Sequence, residues 1–362
     1  MKKFIQLTII FSSVILISSC DTWLDVQPED GVVRERYWKT KEEVRAAVLG
    51  CYSQMLDSKM MQEYFVWGEM RAEMATPASA ARPDLVALNT GEITSTNTYT
   101  DWASFYKVIN QCNTVIELAP AVLDIDESFS ERLLNEYIAE VTSIRSLMYF
   151  YLVRTFRDVP YSVTASIYDY QDFSLPKTDG KIIIDNLITS LEAIESNIPT
   201  KYDNTTASQQ EGANPNKGRI NYYGWASLLA DIYLWKGEFD KCIDMTTRVI
   251  ESGQYSLVPV ARTEVLSYNI ETGRTDTVYE AQQGDVVAMF NTTYAQGNSV
   301  ESIFELQNPS TYINPFVSMF SANVANQIEV NQASFSNEYF IPSNIARIWC
   351  VLRTVVIPFN GK

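Results

Sequence analysis

The sequence predicts a mainly α-helical, repeat-built scaffold with long inserted loops and few short strands. Apolar residues recur at helical spacing in several segments between residues 40 and 252. These segments begin at capping residues and end near proline or glycine, as helices do. The stretches between them are polar and lack a sustained period, which predicts loops. Helix is therefore expected to dominate the fold.

Two helices follow from capping signals and apolar stripes. Thr40 and Glu43 form a capping box, which predicts a helix of about 16 residues. Asp101 is expected to cap a second helix that ends at Pro120. Their stripes are Val44, Val48, Cys51 and Met55 in the first helix, and Trp102, Phe105, Tyr106, Ile109, Cys112 and Ile116 in the second.

Further helices are predicted from about 130 to 156 and from about 181 to 197, and Pro160 lies just beyond the first of them. Residues 76–100 are rich in Thr, Ser, Ala, Asn and Pro without a period, so we expect a long loop there. Long loops inside compact domains are often functional.

The segments 221–236 and 239–252 predict a helical pair that follows the tetratricopeptide-repeat template. One such hairpin cannot bury its apolar face alone, so neighbouring hairpins are expected to stack. Beyond residue 255, only Thr275–Tyr279 and Val300–Leu306 have the character of short strands. The template positions are Ala226, Leu229, Ala230, Tyr233, Gly237, Phe239 and Cys242.

The composition excludes several kinds of chemistry. The sequence contains no histidine, which removes catalytic triads with a histidine base, histidine zinc sites and imidazole acid–base catalysis. Ser104 and Lys107 match the S-x-x-K spacing, but the companion motifs of that nucleophile are absent from the sequence. We therefore predict no catalytic residue, no metal and no cofactor.

The cysteines fall into two groups. Cys51, Cys112 and Cys242 lie on apolar faces of predicted helices, where buried free thiols are favoured over a disulfide. Cys20 instead follows Lys2, Lys3 and an apolar stretch too short to span a bilayer as a helix. This pattern predicts a lipoprotein signal peptide over residues 1–19, with lipid transferred to the Cys20 thiol.

The mature chain is predicted to be strongly acidic. Removing residues 1–19 removes two lysines and no acidic residue, so the net charge of −16 becomes −18. Such a surface repels the phosphate backbone, and nucleic-acid binding is not expected. Flat aromatic faces rimmed by amide and guanidinium groups are the features that hold sugars and peptides. The candidate ligand-binding residues in loops are Trp67, Arg82, Asn89, Asn97, Tyr99 and Tyr312.

Five motifs, in order along the chain, resemble those of the RagB/SusD family of Bacteroidetes outer-membrane proteins. They are the lipidation site with WLDVQP at 20–28, the helix with Cys-Asn and Ile-Glu at 102–117, the run at 140–161, the GR segment at 218–234, and SIFE at 302–305. The sequence departs from the family pattern at Arg157, where the family has glycine before the Asp-Val-Pro turn.

The resemblance implies a non-enzymatic, lipid-anchored protein facing the cell exterior from the outer membrane. It implies an oligosaccharide or other nutrient ligand and a SusC-like TonB-dependent transporter as partner. Two alternatives stay open: a peptide-binding RagB-type member, and a helical-repeat scaffold that binds only proteins. The implied organisation is a signal peptide (1–19), a tether (20–39), a helical-repeat domain (40–255) with a 64–100 loop, the start of a loop-rich C-terminal region (256–345), and an atypical tail (346–362) that suggests truncation or a frameshift.

The lipid anchor is tested by changing Cys20 to serine. Because the lipid is attached through the thiol, the Cys20→Ser variant is expected to move from the membrane to the soluble fraction on cell fractionation. Ser19→Ala keeps a small residue before the cysteine and serves as the control. A Cys20→Ser variant that stays with the membranes would contradict lipidation.

Overall fold

The computed structural model describes the helical body of the chain and parts of the region C-terminal to that body. Among the sequence predictions, those at Cys20, at Tyr312 and in the tail 346–362 lie outside the described residues. Within the described part, no helix is long and apolar enough to cross a membrane. The described residues are 37–71, 75–77, 81–168, 170–172, 174–202, 214–258, 262–270, 273–281, 298–307 and 328–330.

Antiparallel helices form the frame, which confirms the predicted mainly helical, tetratricopeptide-like fold. The central helix α5 packs against α1, α4 and α6, and α7 packs against α6 and α8. The described helices of eight residues or more are α1 (Lys41–Met55), α2 (Ser58–Phe65), α3 (Pro83–Thr90), α4 (Ala103–Leu118), α5 (Glu131–Phe156), α6 (Gly180–Ala193), α7 (Tyr222–Lys236) and α8 (Phe239–Glu251).

Helix α1 begins where its capping box predicts. The Thr40 hydroxyl accepts a hydrogen bond from the Glu43 N–H at 3.3 Å, and the Glu43 carboxylate accepts one from the Thr40 N–H at 3.0 Å. These reciprocal bonds satisfy backbone donors that have no partner inside a helix. The predicted stripe residues Val44, Val48, Cys51 and Met55 are all fully buried.

The starts of α4 and α5 also lie close to the predicted positions. The Asp101 carboxylate accepts from the Ala103 N–H at 2.9 Å, so Asp101 stabilises the first turn of α4 as expected. The Ser130 hydroxyl accepts from the Leu133 N–H at 3.2 Å, one residue before α5 begins. The bounds of these helices were therefore predictable from local signals alone.

The chain leaves α5 through a constrained turn. Arg157 has a φ of 66°, in the left-handed region that favours glycine. After Val159–Pro160, which pairs with Lys177–Thr178, the chain returns to Gly180 at the start of α6. A Cβ atom at Gly180 would lie 2.5 Å from the Arg157 carbonyl oxygen, so only glycine fits there.

The predicted helical pair is α7 and α8, and Gly237 joins the two helices with a φ of 87°. The Trp225 ring is fully buried, and its Nε1 donates to the Leu191 carbonyl of α6 at 3.0 Å. The α7–α8 hairpin thus stacks on α6, as the repeat template requires.

Three segments differ from the sequence predictions. The region 76–100 is not one loop, because it contains α3 and the 3₁₀ turn Thr98–Thr100. The predicted strand 275–279 lies in a strand, Arg274–Ala281, but its antiparallel partner Arg262–Asn269 was not predicted. Residues 300–306 are an irregular segment with one bridge position at Glu305 rather than a strand, and the Glu305 N–H donates to the Lys217 carbonyl at 2.8 Å.

A buried ion pair ties α1, α5 and the segment before α7 together. Glu140 of α5 is fully buried, and Arg219, just before α7, donates to its two carboxylate oxygens at 2.9 and 2.6 Å. The Tyr52 hydroxyl of α1 donates to the same carboxylate at 2.6 Å and accepts from the Ile220 N–H at 2.9 Å. A buried charge is stable only when it is paired and hydrogen-bonded, as it is here.

The cysteine prediction is confirmed where the structure describes it. Cys51, Cys112 and Cys242 are buried free thiols. A hydrogen bond with Cys112 and burial raise the pKa of the Cys51 thiol well above its usual value. The thiol therefore stays protonated and unreactive at neutral pH.

The helical frame is tested at Tyr233 of α7, whose side chain is 2% exposed and donates to Glu192 Oε1 at 2.6 Å. Tyr233→Ala leaves a cavity between α6, α7 and α8, so the free energy of unfolding is expected to fall by about 3–5 kcal/mol. Urea unfolding followed by circular dichroism measures this. Trp235→Ala, at a position 55% exposed on the same helix, is the control and should lose less than about 1 kcal/mol. Equal losses in the two variants would contradict the predicted packing.

Candidate functional site

The candidate site lies in the segment 81–100, which contains α3 and the turn before α4. Helix α3 starts after Arg82 and ends at Gly91, which has a φ of 76° as the residue after a helix often does. Residues 92–98 then return the chain to the start of α4, with Asn97 as the one buried residue among them. The segment thus combines a rigid element with an exposed polar turn.

Two of the predicted ligand-binding aromatics, Trp67 and Tyr99, are buried and anchor this segment to the core. Trp67 and Tyr99 are only 7% and 5% exposed. The Trp67 ring stacks on Phe105 of α4, with ring centroids 4.7 Å apart, and meets the edge of Phe156 at 5.0 Å. Its Nε1 donates to the Tyr99 carbonyl at 2.8 Å. Because both rings are covered by protein, the structure does not present them for stacking on a sugar, in contrast to the sequence-based expectation.

Asn97 is likewise a structural residue in this geometry. Its side chain is 5% exposed, donates to the Asp84 carbonyl at 2.9 Å and accepts from the Tyr99 N–H at 3.0 Å. It therefore links α3 to the 3₁₀ turn. The Asp84 carboxylate reinforces the link, because it accepts from the Thr98 hydroxyl and from the Thr98 N–H at 3.3 Å. These hydrogen bonds lower the pKa of Asp84, so this carboxyl is ionised at neutral pH.

Arg82 and Asn89 form the exposed rim of the segment. The Arg82 side chain is 53% exposed, and its Nη2 donates to Thr98 Oγ1 at 3.1 Å. Asn89 lies exposed near the end of α3. Guanidinium and amide groups in these positions can exchange hydrogen bonds with hydroxyl groups of a ligand. Tyr312, the remaining candidate ligand-binding residue, lies outside the described residues.

A buried carboxyl lies beneath this segment at the start of α4. Glu63 of α2 is fully buried and accepts a hydrogen bond from the Ser104 hydroxyl. Lys59 Nζ lies 3.9 Å from Glu63 Oε1 and also pairs with the Asp101 carboxylate. Burial raises the pKa of Glu63 to about 7, while Ser104 and Lys59 act in the opposite direction. Glu63 therefore changes its charge near neutral pH.

The structure offers no support for catalysis by the S-x-x-K pair. Ser104 is 5% exposed and its hydroxyl donates to Glu63, whereas the Lys107 side chain is exposed. The two side chains are therefore not presented together to a substrate. Within the described ranges, no cluster of three or more acidic or cysteine side chains is arranged to hold a metal ion.

A second segment, residues 161–171, is held along α4 on the face that carries Asn110 and Asn113. The Asn110 side chain accepts from the Ser166 N–H at 2.6 Å and donates to the Ser166 carbonyl at 3.1 Å. Asn113 donates to the Thr164 carbonyl at 3.1 Å, and Arg145 of α5 donates to the Asn113 oxygen at 2.8 Å. The side-chain amides of Asn110 and Asn113 thus satisfy backbone N–H and C=O groups of the loop that have no partner in a helix or a sheet.

This segment presents two tyrosines that sequence reasoning did not select. The rings of Tyr168 and Tyr170 stack with centroids 5.1 Å apart and an angle of 17° between their planes. Tyr168 is 40% exposed and Tyr170 is 81% exposed. The signal in the sequence was two aromatics separated by one residue in a polar stretch after Pro160, a pattern that does not fit a buried helical stripe.

Comparison with known protein families matches residues 22–208, just over half of the chain, to a SusD-like family described as "Starch-binding associating with outer membrane". Among curated proteins, SusD-like protein P38 of Formosa agariphila is 25% identical over 262 residues, which is 71% of this chain and 48% of that protein. SusD-like protein P2 of the same organism is 25% identical over 267 residues, covering 70% and 47%. The chain therefore spans about half the length of these relatives.

Solved structures show the same fold. A SusD superfamily protein from Bacteroides thetaiotaomicron is similar with a TM-score of 0.54 and 26% identity, covering 61% of this chain and 50% of that one. A SusD superfamily protein from Bacteroides vulgatus has a TM-score of 0.53 and 20% identity, covering 61% and 46%.

The buried carboxyl predicts a pH dependence of stability. Because the pKa of Glu63 is raised from 4.5 to about 7 on folding, its contribution is fully present below about pH 4.5 and is lost as the pH rises through about 7. A Glu63→Gln variant lacks this titration and keeps a group that Ser104 can bond. Relative to the parent chain, it should therefore gain about 2–3 kcal/mol of stability between about pH 5 and pH 8.

Urea unfolding at the two pH values measures the gain, with the exposed Glu127→Gln as the control for the loss of one negative charge. A Glu63→Gln variant whose stability follows that of the parent at both pH values would show that Glu63 does not titrate as inferred.

Proposed function

This chain belongs to the SusD-like family, and we propose that it binds a glycan without cleaving it and delivers it to a SusC-like TonB-dependent transporter. The family match over residues 22–208 carries the proposal, because the family is described as starch-binding and associating with the outer membrane. SusD-like proteins are binding proteins. A lipid on Cys20 is proposed to hold the chain at the outer face of that membrane.

The exposed rim of the segment 81–100 is the proposed contact surface. Arg82 offers guanidinium donors and Asn89 offers an amide donor and acceptor, which suits the hydroxyl groups of a sugar. Asn89 lies on helix α3 and Arg82 directly before it, and the Asp84–Thr98 hydrogen bonds hold that helix in place. A site that is already ordered loses little conformational entropy when the ligand binds. Tyr312 is proposed to contact the ligand from the opposite side.

Trp67, Asn97 and Tyr99 are proposed to act on the ligand indirectly. All three side chains are buried, and the Trp67 and Asn97 side chains form hydrogen bonds with the Tyr99 backbone, so these residues fix the rim rather than contact the sugar. A scaffold of this kind, with rigid helices positioning loops, is the common arrangement for binding sites.

The charge of the chain narrows the ligand class. A net charge of −18 after removal of residues 1–19 disfavours anionic polymers at long range. A neutral glycan does not meet this repulsion. We therefore propose a neutral oligosaccharide as the ligand rather than an acidic one.

Binding without cleavage agrees with the state of the carboxyl groups around the segment. Glycoside hydrolysis uses two carboxyl groups that flank the glycosidic bond, and one of them acts as an acid. Asp84 has a lowered pKa and hydrogen bonds that occupy it, so it is a poor proton donor. Glu63 has a raised pKa but is fully buried, so it cannot contact a substrate.

A protein-binding scaffold is the second candidate, and exposed apolar side chains on the α7–α8 hairpin favour it. Trp235, Phe239, Ile243 and Ile250 are each 55–61% exposed. Exposed apolar side chains are a common feature of surfaces on which another protein docks. A peptide ligand, as in RagB-type members, is the remaining alternative, and the titration described next separates it from a glycan ligand and from a protein scaffold.

The proposed function is tested by isothermal titration calorimetry of the full chain in detergent against soluble starch, a β-1,3-glucan, xylan, mannan and a mixed peptide library. At least one neutral glycan is expected to bind. The double variant Arg82→Ala/Asn89→Ala is expected to bind that glycan about tenfold more weakly, because two hydrogen-bonding side chains are lost.

The matched control is Arg132→Ala, since Arg132 is an 80% exposed arginine on α5. Its affinity for the glycan should equal that of the parent chain. Binding of peptides but of no glycan would favour the RagB-type alternative. Binding of neither peptides nor glycans would favour the protein scaffold. Release of reducing sugar by the purified chain would overturn the non-enzymatic proposal.

A further inference from the structure

The geometry of the 161–171 segment points to a second saccharide contact: we propose that the outer face of Tyr170, supported by Tyr168, stacks on a sugar ring. The inference rests on the proposed function for its ligand class, but it concerns a different surface from the rim of Arg82 and Asn89. The main evidence is that the Tyr170 ring stacks on Tyr168 and is nevertheless 81% exposed.

The stacking arrangement leaves one ring face open. Tyr168 stacks against one side of Tyr170, with centroids 5.1 Å apart and planes nearly parallel. Because Tyr170 is nonetheless 81% exposed, most of its ring, including the face turned away from Tyr168, meets solvent. A flat apolar face with a polar edge fits the apolar C–H face of a pyranose and its equatorial hydroxyl groups.

The platform is held in place before any ligand arrives. The Gln171 side chain accepts from the N–H groups of Ile167 and Tyr168 at 2.6 and 2.7 Å and donates to the Ala165 carbonyl at 2.8 Å. The loop is thereby closed on itself around the tyrosines. An aromatic ring on a closed loop needs little ordering on binding, so its contact with a ligand contributes more to affinity.

The loop is also fixed to the frame of the molecule. The Ala165 N–H donates to Glu117 of α4 at 3.1 Å, and both hydrogen bonds of Asn110 with Ser166 join the same helix. Asn110 lies about 10 Å along α4 from Ala103, the residue near which the segment 81–100 enters that helix. The two proposed contacts are therefore carried by one rigid helix.

The size and chemistry of the surface favour a sugar over a protein partner. Two tyrosine side chains offer at most a few hundred Å², whereas a stable protein interface buries about 800 Å² on each partner. Two residues after Tyr170 in the chain, the exposed Asp172 accepts a hydrogen bond from the Ser174 N–H at 2.8 Å and has further acceptor positions for hydroxyl groups. Val163 and Leu175 on the same stretch are about half exposed. If this surface docked a protein instead of a sugar, Tyr170→Ala would leave the affinity for the glycan unchanged.

The test uses the glycan from the named panel that the full chain binds most tightly, with titration calorimetry as the readout. Tyr170→Ala is expected to weaken binding about three- to tenfold, because one aromatic contact is lost. Tyr170→Phe keeps the ring and should retain most of the affinity. Because Tyr170 lies on the surface, the thermal unfolding midpoint of both variants should equal that of the parent chain.

The matched control is Tyr268→Ala, since Tyr268 is a 62% exposed tyrosine on the strand Arg262–Asn269. It should leave glycan binding unchanged. If the parent chain binds a glycan and Tyr170→Ala binds it equally well, the second contact is overturned while the proposed function stands. If Tyr170→Ala and Tyr268→Ala weaken binding equally, the effect is not specific and the inference is overturned as well. If the parent chain binds no glycan, the proposed function fails first and this inference fails with it.

Discussion

The buried pair of Glu140 and Arg219 is the interaction on which the arrangement of the helices depends. It joins the middle of α5 to the segment before α7, and Tyr52 adds α1 to the same carboxylate. The aromatic face of Tyr202 covers the guanidinium group at 4.0 Å. Removing one partner of such a pair leaves an unpaired charge in the interior, which costs about 3–5 kcal/mol. The pair therefore specifies which helices meet, because a packing that separated them would leave both charges buried and unpaired.

Helix α4 holds two loop-containing segments on the helical frame. One side of it packs under Trp67 and the segment 81–100 through Phe105, and another side binds the 161–171 segment through Asn110 and Asn113. Both segments leave the helical frame and return to it, and both are fixed by side chains rather than by a sheet. Their exposed residues can vary in sequence without disturbing the core, whereas the residues that hold them cannot. A binding surface built in this way is able to change its ligand while the fold is retained.

The helical frame was predictable from sequence because its signals are local. Thr40, Asp101 and Ser130 act within three residues of their own position, and the apolar stripes repeat every turn. The site was less predictable because its geometry depends on distant contacts. The burial of Trp67 follows from its bond to Tyr99, 32 residues away, and no pattern around position 67 reveals that bond. The predicted strand at 300–306 failed for a similar reason, since its backbone bonds to Lys217 rather than to a neighbouring strand.

The turn after α5 constrains how this sequence can drift. Arg157 occupies a sparsely populated conformation with a φ of 66° and a ψ of −77°, which costs about 1–3 kcal/mol, while Gly180 faces the Arg157 carbonyl with no room for a Cβ. A change to glycine at 157 relieves backbone strain, but any change at 180 pushes α6 away from α5. The two positions are 23 residues apart in sequence but in contact in the structure, and they are constrained in opposite ways. Position 157 tolerates the loss of its side chain, whereas position 180 has no room to gain one.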